Sequence, residues 1–295
     1  MLNNVTTPSI KLNSGYSMPL VGFGTSQIVG QDSLDLVVDS ALGAGYRLFD
    51  TARFYDNETE LGNAFEKFLP KYGLTRGDIF VTTKFIPQPD NNLELMPKFL
   101  EESLTNLKTS YIDLVLIHYP KSPKLDNEDT RNRIHRKEIW TWLESVPDTI
   151  IHSIGVSNYE ISHLEEISGF STKVPDVNQL EFHPHFRRTS LKEYCQKKGI
   201  HFQAFSSFGR SQAELFNDEA VVQLAKKYHT SAQTILLSFA TSQNIGVIPK
   251  SSNPERIVEN FNCFNLNLSK EDLDLLNSIQ VETHYRPLMT PWLVK

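Results

Sequence analysis

The segment YRLFDTARFYDNE, residues 46–58, begins like a buried β-strand and ends in a polar turn. Leu48 and Phe49 are residues of the kind that fill a core, yet the carboxylate of Asp50 follows them directly. Similar short apolar segments recur along the chain, separated by longer stretches. They are VGFGT (21–25), RLFDTA (47–52), IFVTTK (79–84), IDLVLIH (112–118), HSIGVSN (152–158), DVNQLEF (176–182), HFQAFSS (201–207) and GVIPKS (246–251).

The stretches between these strands have apolar residues at helical spacing. Near-continuous apolar strands that alternate with amphipathic helices are typical of a parallel sheet covered by helices. Eight strands favour a closed (β/α)8 barrel, an α/β fold, over an open doubly wound sheet. We also predict a β-hairpin in SIKLNSGYSMPL (9–20) and a helix with a tail at the C-terminus, and we predict that residues 1–295 form a single domain.

Composition limits the partners that this chain is expected to bind. It has 295 residues and a formal net charge of −6, which argues against a nucleic-acid binder because such proteins normally carry a basic surface. No run approaches the ~18 apolar residues of a membrane span. The segment MLNNVTTPSI (1–10) lacks the basic and apolar regions of a secretory signal, so we expect a cytoplasmic protein. Cys195 and Cys263 predict neither a disulfide framework nor a zinc site.

Most of the predicted strands end in polar or ionisable side chains. In a parallel barrel the carboxyl ends of all strands meet at one rim, where enzymes of this fold keep their catalytic residues. The sequence therefore predicts an active site at that rim. The side chains concerned are Asp50, Lys84, His118, Ser157, Asn158, Gln179, Glu181, Ser206 and Lys250.

Three of these residues form, with Tyr55, a candidate apparatus for proton transfer. A phenol holds its proton too tightly at neutral pH for efficient exchange, and a neighbouring ammonium stabilises the phenolate. We expect Lys84 to supply that ammonium and Asp50 to fix its position. His118 would donate a hydrogen bond to a carbonyl oxygen as negative charge develops there. The set fits protonation of a carbonyl oxygen while a hydride reaches the carbon.

The segment IPKSSNPERIVEN predicts an anion site at the start of a helix. Asn253 fits the N-cap and Pro254 the first helical position. Lys250, Ser251 and the helix N-terminus would then face an anion, and Arg256 adds a planar donor fork suited to phosphate. From these residues alone, a solvated helix cap is the alternative.

Over nearly its whole length the sequence resembles the aldo-keto reductase superfamily. The matching stretches occur in that family's order and spacing, and the YEISHLEE and EFHPHF stretches further resemble a branch found in animals. The stretches that carry the family resemblance are GYRLFDTARFYDNETELG, IFVTTK, YIDLVLIHYP, SIGVSNY, VNQLEFHP, QAFSSFG and IPKSSNPERIVEN. The resemblance implies a (β/α)8 barrel with an N-terminal hairpin and with NADPH extended across its C-terminal face. It makes Tyr55 the general acid, Asp50 and Lys84 its tuning pair, and His118 the residue that orients the substrate carbonyl.

The same resemblance implies how the cofactor is held. The region of Lys250 and Arg256 would grip the 2′-phosphate, and two cations facing one phosphate favour NADPH over NADH. Phe205 replaces the family's usual tyrosine, but a phenyl ring still stacks on the nicotinamide. The implied cofactor-binding residues are Gly24, Thr25, Asp50, Ser157, Asn158, Gln179, Phe205, Ser206, Phe208, Lys250, Ser251, Asn253, Arg256, Glu259 and Asn260.

The substrate pocket departs from the family's pattern. Ser26 and Tyr119 stand where many relatives carry tryptophan, which predicts a pocket with less indole surface. The expected pocket residues are Ser26, Phe54, Phe85, Tyr119 and Trp292.

Three histidines outside the catalytic set also have predicted roles. His183 and His185 lack a third ligand at recognised spacing, so we predict a structural role beside Glu181 and no metal site. His135, in a charged stretch, is expected to face solvent.

The sequence thus predicts NADPH-dependent reduction of a small-molecule aldehyde or ketone, with Tyr55 as general acid, by a protein that is expected to be monomeric. Two alternatives use the same scaffold. One is a non-catalytic NADPH-binding subunit or redox sensor, and the other is an aldolase in which Lys84 or Lys250 forms a Schiff base.

Overall fold

The computed structural model describes residues 8–286 and 289–295. Its strands are β1 (Ser9–Lys11), β2 (Ser17–Pro19), β3 (Phe23–Gly24), β4 (Leu48–Asp50), β5 (Phe80–Phe85), β6 (Ile112–Ile117), β7 (Ile151–Ser157), β8 (Val177–Glu181), β9 (His201–Phe205) and β10 (Gly246–Val247). Its helices are α1 (Gln31–Ala44), α2 (Glu58–Phe68), α3 (Asn92–Asn106), α4 (Arg131–Ser145), α5 (Ile161–Ser168), α6 (Thr189–Lys198), α7 (Ala213–Phe216), α8 (Glu219–Lys227), α9 (Ala232–Thr241), α10 (Pro254–Phe261) and α11 (Lys270–Asn277).

Strands β3 to β10 form one parallel sheet in which chain order and spatial order agree. The two edges of the sheet then meet. Val21 pairs with Val247 in parallel, Gly22 N–H donates to the Val247 carbonyl oxygen at 2.8 Å, and Val247 N–H donates to the Leu20 carbonyl oxygen at 2.9 Å. The predicted eight-stranded α/β barrel is therefore confirmed. The predicted β-hairpin is confirmed as well, since β1 and β2 pair antiparallel.

The strand that was predicted over residues 246–251 is shorter in the structure and ends at Val247. Pro249 has no backbone N–H, so the hydrogen-bond ladder cannot continue through it. Its carbonyl oxygen instead accepts from Gly24 N–H at 3.1 Å, which keeps the closing strands together at the carboxyl rim.

Alternation along the strands decides which side chains face the barrel interior. The interior is filled by a compact apolar cluster that the hairpin closes at the amino end. Its members are Leu12, Met18, Leu48, Phe80, Leu114, Leu116, Val177 and Ile248. Because side chains alternate between faces, Asp50 has the same orientation as Leu48, Lys84 the same as Phe80, and Gln179 the same as Val177. A carboxylate after an apolar strand thus points into the carboxyl mouth of the barrel.

The same alternation corrects the placement of Phe85. It belongs to the cluster between strands and helices and is 1% exposed. Its ring centroid lies 6.3 Å from that of Phe99 on α3, away from the barrel mouth. The predicted role of Phe85 in the substrate pocket is wrong, because it follows the inward-facing Lys84 by one residue.

His135 does not face solvent as expected. It is 6% exposed and lies on the buried face of α4, one turn before Ile139. The helical spacing of His135 with Ile139 was missed because most of its sequence neighbours are charged.

Two expectations concern parts of the chain that are described only in part. A single domain over residues 1–295 stays a prediction, since residues 1–7 and 287–288 lie outside the described part. Most of the segment used to exclude a secretory signal lies there too. Within the described residues, no helix is long and apolar enough to cross a membrane.

Gly155→Ala should lower the free energy of unfolding by roughly 1–3 kcal/mol, because the tightly packed barrel has no space for a methyl group there. A β-carbon at this position would lie 2.5 Å from the Val177 carbonyl oxygen and 2.8 Å from Leu116 Cδ2. Urea denaturation followed by circular dichroism measures the change. Gly77→Ala is the matched control, since its β-carbon would meet only Thr75 Oγ1 at 3.6 Å. Equal destabilisation by both substitutions would contradict this account.

Candidate active site

The buried ammonium of Lys84 lies at the centre of the predicted site. Its Nζ atom donates to Asp50 Oδ1 at 2.5 Å, to the Thr51 carbonyl oxygen at 2.8 Å and to Tyr55 Oη at 3.4 Å. Lys84 is 0% exposed, so protein groups alone solvate its charge. An ammonium has three hydrogens and accepts none, and the three acceptors account for all of them.

Asp50 and Lys84 form an ion pair although both side chains are buried. Burial opposes the lysine charge, but Asp50 and Tyr55 outweigh it and raise the pKa of Lys84. Burial also raises the pKa of Asp50, against the opposite effects of Lys84 and Gln179. Gln179 Nε2 donates to Asp50 Oδ2 at 2.7 Å, so each carboxylate oxygen has a donor. Neither charge is left uncompensated, which is the condition under which a buried ion pair is tolerated.

Tyr55 is brought to Lys84 by a tight turn that follows β4. Arg53–Tyr55 form one turn of 3₁₀-helix, and Asp56 ends it with a left-handed φ of 53°. The phenol ring is half-buried, with its oxygen toward Lys84 and the rest of the ring beside the barrel mouth.

Asn57 holds this turn in place, a role that sequence reasoning missed. It is 0% exposed. Its Oδ1 accepts from Thr51 Oγ1 at 2.8 Å, and its Nδ2 donates to the carbonyl oxygens of Thr25 and Ile28, both at 3.0 Å. An asparagine before a helix has the sequence signature of an N-cap, yet here it forms no side-chain cap bond. It connects the turn carrying Tyr55 to the segment after β3 instead.

His118 faces Tyr55 across the mouth as a neutral imidazole. The two ring centroids are 5.7 Å apart in an edge-to-face arrangement. Burial lowers the pKa of His118 well below its usual range, and the charges of Lys84 and Arg286 lower it further. Among the described residues, its buried Nδ1 has no hydrogen-bond partner. A neutral imidazole with one N–H suits hydrogen bonding to a polarised oxygen better than proton release.

A cavity of about 790 Å³ opens at this rim and extends away from the catalytic residues. It is lined by most of the residues that were predicted from the sequence as catalytic, cofactor-binding or substrate-binding. These are Gly24, Ser26, Asp50, Tyr55, His118, Ser157, Asn158, Gln179, Phe205, Ser206, Phe208, Lys250, Ser251, Asn253 and Arg256. Residues from seven strands or their following loops therefore converge on one elongated space.

The far end of the cavity has the features of a phosphate site. Asn253 caps α10 by accepting from Arg256 N–H at 3.0 Å, and Pro254 occupies the first helical position. Ser251 Oγ accepts from Asn253 N–H at 3.1 Å. Lys250 and Arg256 are exposed, and neither forms an ion pair with any carboxylate in the described part of the chain. Two free cations and a helix N-terminus favour a bound anion.

Two side-chain amides near the catalytic end keep only their oxygens for a ligand. Gln179 Nε2 donates to Asp50 at 2.7 Å and to Gln203 Oε1 at 2.8 Å. Asn158 Nδ2 donates to a backbone carbonyl oxygen at 2.9 Å and to Ser157 Oγ at 3.0 Å. Each NH2 group has two hydrogens, so both are used. The remaining amide oxygens match a ligand that donates two N–H groups.

Three of the predicted cofactor residues lie outside the cavity lining. Thr25 is buried, and its Oγ1 donates to the Asp50 carbonyl oxygen at 3.0 Å, which places it behind the lining. Glu259 and Asn260 follow Arg256 by three and four residues on α10; Glu259 is exposed like Arg256, whereas Asn260 is buried with Ile257 and Phe261.

The predicted substrate residues are spread over a wider area than expected. Ser26 lines the cavity, and the Phe54 ring stands 6.4 Å from that of His118. Tyr119 is half-buried, and burial raises its pKa to about 12. Trp292 does not line the cavity, because it packs on Phe186 at 6.0 Å between ring centroids. The prediction for Trp292 is therefore corrected.

Sequence reasoning missed two cations that line the cavity, Arg210 and Arg286. Arg210 lies in the loop after β9, and Arg286 lies in the C-terminal tail. No local motif marks either residue, since loop and tail positions can be assigned to a barrel mouth only from the tertiary fold.

Comparison with known proteins gives one consistent result. A model of the aldo/keto reductase family matches residues 20–281. The chain is 32% identical to the NAD(P)H-dependent D-xylose reductase I,II of Candida tropicalis, over 99% of this chain and 97% of that protein. It is also 32% identical to the glyoxal reductase of Bacillus subtilis, over 95% of each chain.

Solved structures agree with this result. The Bombyx mori aldo-keto reductase, whose structure is a complex with NADP, superposes with a TM-score of 0.82 at 32% identity, covering 92% of each chain. An aldo/keto reductase from Brucella melitensis gives a TM-score of 0.81 at 34% identity, over 92% of this chain and 99% of the other. The narrower resemblance to an animal branch stays a prediction.

Lys84→Met should lower the free energy of unfolding by roughly 3–5 kcal/mol at pH 8, because it leaves the Asp50 carboxylate buried without its cation. The pKa of Asp50 in the folded variant then rises further above its value in the unfolded chain. The folded state therefore binds more protons than the unfolded state, and the loss should shrink as the pH falls from 8 towards 5. Urea denaturation at both pH values measures it.

Two further variants make this test specific. The double variant Asp50→Asn/Lys84→Met also removes the buried Asp50 charge, and it should recover much of the lost free energy of unfolding. Lys67→Met removes an exposed partner of Asp35 and should cost below about 1 kcal/mol at either pH. A loss that is the same at pH 5 and pH 8, or a double variant as unstable as Lys84→Met, would contradict the buried-charge explanation.

Proposed function

This chain belongs to the aldo/keto reductase family, and we propose that it reduces aldehydes or ketones to alcohols with NADPH, using Tyr55 as the general acid. The observation that carries the proposal is the position of Tyr55 beside the fully engaged Lys84 ammonium. We further propose that it acts on small carbonyl compounds as a cytoplasmic monomer.

The direction of the Tyr55 proton follows from the hydrogen bonds of its neighbour. Lys84 has no lone pair with which to accept, and its third hydrogen points to Tyr55 Oη at 3.4 Å. The phenol proton must therefore be donated elsewhere, and the open side of Tyr55 is the cavity. A carbonyl oxygen there would receive this proton as its negative charge grows. The ammonium would stabilise the phenolate left behind.

His118 supplies the second contact to the reacting oxygen. Because its imidazole is neutral, it would orient the carbonyl and share the developing charge through an N–H donor without competing to release a proton. Tyr55 and His118 meet edge to face at 5.7 Å, so a single oxygen atom between them is within reach of both.

The residues of the cavity fit NADPH at both of its ends. Lys250, Arg256 and the α10 N-terminus would hold the 2′-phosphate, while the free amide oxygens of Gln179 and Asn158 would accept from the two N–H groups of the carboxamide. When bound, NADPH supplies a hydride to the carbonyl carbon. The polar cavity and the amide acceptors support this assignment, and the family relationship supports it independently.

The aldolase alternative requires a neutral lysine amine. Lys84 has three hydrogen bonds and a raised pKa, so its amine is held charged. A cofactor-binding subunit or redox sensor remains the other reading of the same cavity, and the first experiment below separates it from an enzyme.

Tyr55→Phe should reduce kcat for carbonyl reduction by about 10²- to 10⁴-fold, the usual contribution of a general acid. The NADPH dissociation constant, measured by fluorescence quenching, should change little because the ring remains. Tyr16→Phe removes an exposed hydroxyl on the hairpin at the opposite end of the barrel and should leave kcat unchanged. Near-normal turnover of Tyr55→Phe would defeat the mechanism. Tight NADPH binding without turnover of any aldehyde, quinone or α-dicarbonyl by the unmodified protein would favour the sensor.

Lys250→Met and Arg256→Met should each raise the NADPH dissociation constant by about 10- to 100-fold, since each removes a charge-assisted hydrogen bond to phosphate. NADH binding should change by less than about threefold, because NADH lacks the 2′-phosphate. Lys270→Met, at an exposed site paired with Asp274, is the matched control for lost charge. Equal weakening of NADPH and NADH binding would mean that these cations do not face the 2′-phosphate.

A further inference from the structure

Arg286 places a positive charge in the cavity at the end opposite to Lys250 and Arg256. It lines the cavity together with Tyr55 and His118. Its guanidinium carbon lies 5.2 Å from the centroid of the Phe205 ring. The charge is therefore next to the place where a carbonyl would meet the general acid.

This guanidinium has no counter-ion among residues 8–286 and 289–295. Glu181 is the nearby carboxylate whose charge it senses, but Glu181 Oε1 accepts from Tyr285 N–H at 2.8 Å and lies 3.1 Å from His183 Nε2. Arg286 is half-buried, and burial lowers its pKa, yet an arginine stays charged at neutral pH. A partly desolvated cation without an anion is unfavourable unless a ligand supplies one.

The tail segment that carries Arg286 is anchored firmly on the side before it. Tyr285 Oη and His185 Nδ1 are 2.8 Å apart, and His185 Nε2 lies 2.9 Å from Asp218 Oδ2. Thr283 N–H donates to the His185 carbonyl oxygen at 2.6 Å. These contacts also give His183 and His185 the structural role expected beside Glu181.

The tail is anchored again beyond Arg286. His163 Nε2 lies 2.9 Å from the Val294 carbonyl oxygen, and Lys295 N–H donates to the Asn127 carbonyl oxygen at 2.8 Å. The buried Arg136 donates to the Lys295 carbonyl oxygen at 3.2 Å. With both flanks fixed on the barrel, Arg286 is presented to the mouth as a positioned cation and not as part of a loose end.

The location of Arg286 identifies which anion it would meet. The phosphates of the proposed cofactor belong with Lys250 and Arg256 or with Arg210 in the loop after β9, whereas its nicotinamide end carries an uncharged carboxamide. An anion at the Tyr55 end must therefore come from the other reactant. On the basis of the proposed reductase function, we propose that Arg286 determines specificity by binding a carboxylate of the carbonyl substrate, so that the preferred substrates are aldehydes or ketones bearing a carboxylate.

The contact between Arg286 and Phe205 means that the Arg286 side chain must move when a nicotinamide ring stacks on Phe205. Flat groups in contact lie roughly 3.5 Å apart, so the observed 5.2 Å leaves no space for a further ring on the same face of Phe205. A nicotinamide stacked there would displace the guanidinium. Because no ion pair holds it, the side chain can turn aside towards the substrate, where its planar fork suits a bidentate carboxylate contact.

The test compares carboxylate substrates with their uncharged methyl esters, which carry the same reacting carbonyl. Suitable pairs are 4-carboxybenzaldehyde and succinic semialdehyde, each against its methyl ester. The unmodified protein should have the higher kcat/KM for the acid in at least one pair. Arg286→Met should lower the acid-to-ester ratio of kcat/KM by about 10- to 100-fold, mainly through KM, and Arg286→Lys should restore part of it. Arg133→Met, at an exposed cation on α4, should leave the ratio unchanged.

Binding measurements separate this proposal from the other claims. Calorimetric titration of the NADPH complex with benzoate should show weaker binding in Arg286→Met. The NADPH affinity of that variant should be unchanged or up to about fivefold tighter, as expected if a cation–π contact is removed from the Phe205 face. A tenfold loss of NADPH affinity would place Arg286 on the cofactor, and acid-to-ester ratios that stay within about threefold for every pair would overturn the proposal. Failure of the reductase function itself would instead appear as no NADPH oxidation with any member of either pair.

Discussion

The structure depends on one buried charge. Lys84 has no contact with solvent, so its ammonium must be solvated by the carboxylate of β4, the carbonyl oxygen that follows it and the phenol of the next turn. All three acceptors lie in the short segment from Asp50 to Tyr55, and the pairing of β4 with β5 brings Lys84 to them. The three hydrogens of Lys84 are all donated, one of them to Tyr55 Oη. Because Lys84 cannot accept, Tyr55 can donate its own proton only towards the cavity.

Much of this could be predicted from the sequence because strand alternation is a strong constraint. Leu48, Asp50 and the apolar segments that surround them specify which faces point inward, and the parallel order then brings Lys84, His118 and Gln179 to the same rim. Phe85 was misplaced although the same rule, applied one residue past Lys84, turns it outward. Tyr55 was different, since its position in a turn gave no periodicity. The chemistry of a phenol beside an ammonium suggested proton transfer, and the family resemblance then made Tyr55 the general acid.

What the sequence could not predict lies in contacts between distant segments. Asn57 looks like a helix cap, but its side-chain N–H groups donate to the carbonyl oxygens of Thr25 and Ile28, more than twenty residues away. Gln203 belongs to no sequence motif, and its role is seen only from the hydrogen bond that it accepts from Gln179. Arg286 belongs to a tail whose path over the barrel is fixed by His185 and Glu181. In each case a polar residue is placed by tertiary contacts, which leave no periodic signal in the chain.

The charge layout of the cavity contrasts with the acidic protein as a whole. A net charge of −6 gives no indication of a space whose two ends carry unpaired cations, because local packing and not total charge sets the field inside a cleft. The most direct test of the central claim is neutron crystallography of deuterium-exchanged protein. Three deuterons should be seen on Lys84 Nζ, directed at Asp50, the Thr51 carbonyl oxygen and Tyr55, with the Tyr55 deuteron pointing into the cavity. A neutral Lys84 amine that accepts the Tyr55 deuteron would contradict the account.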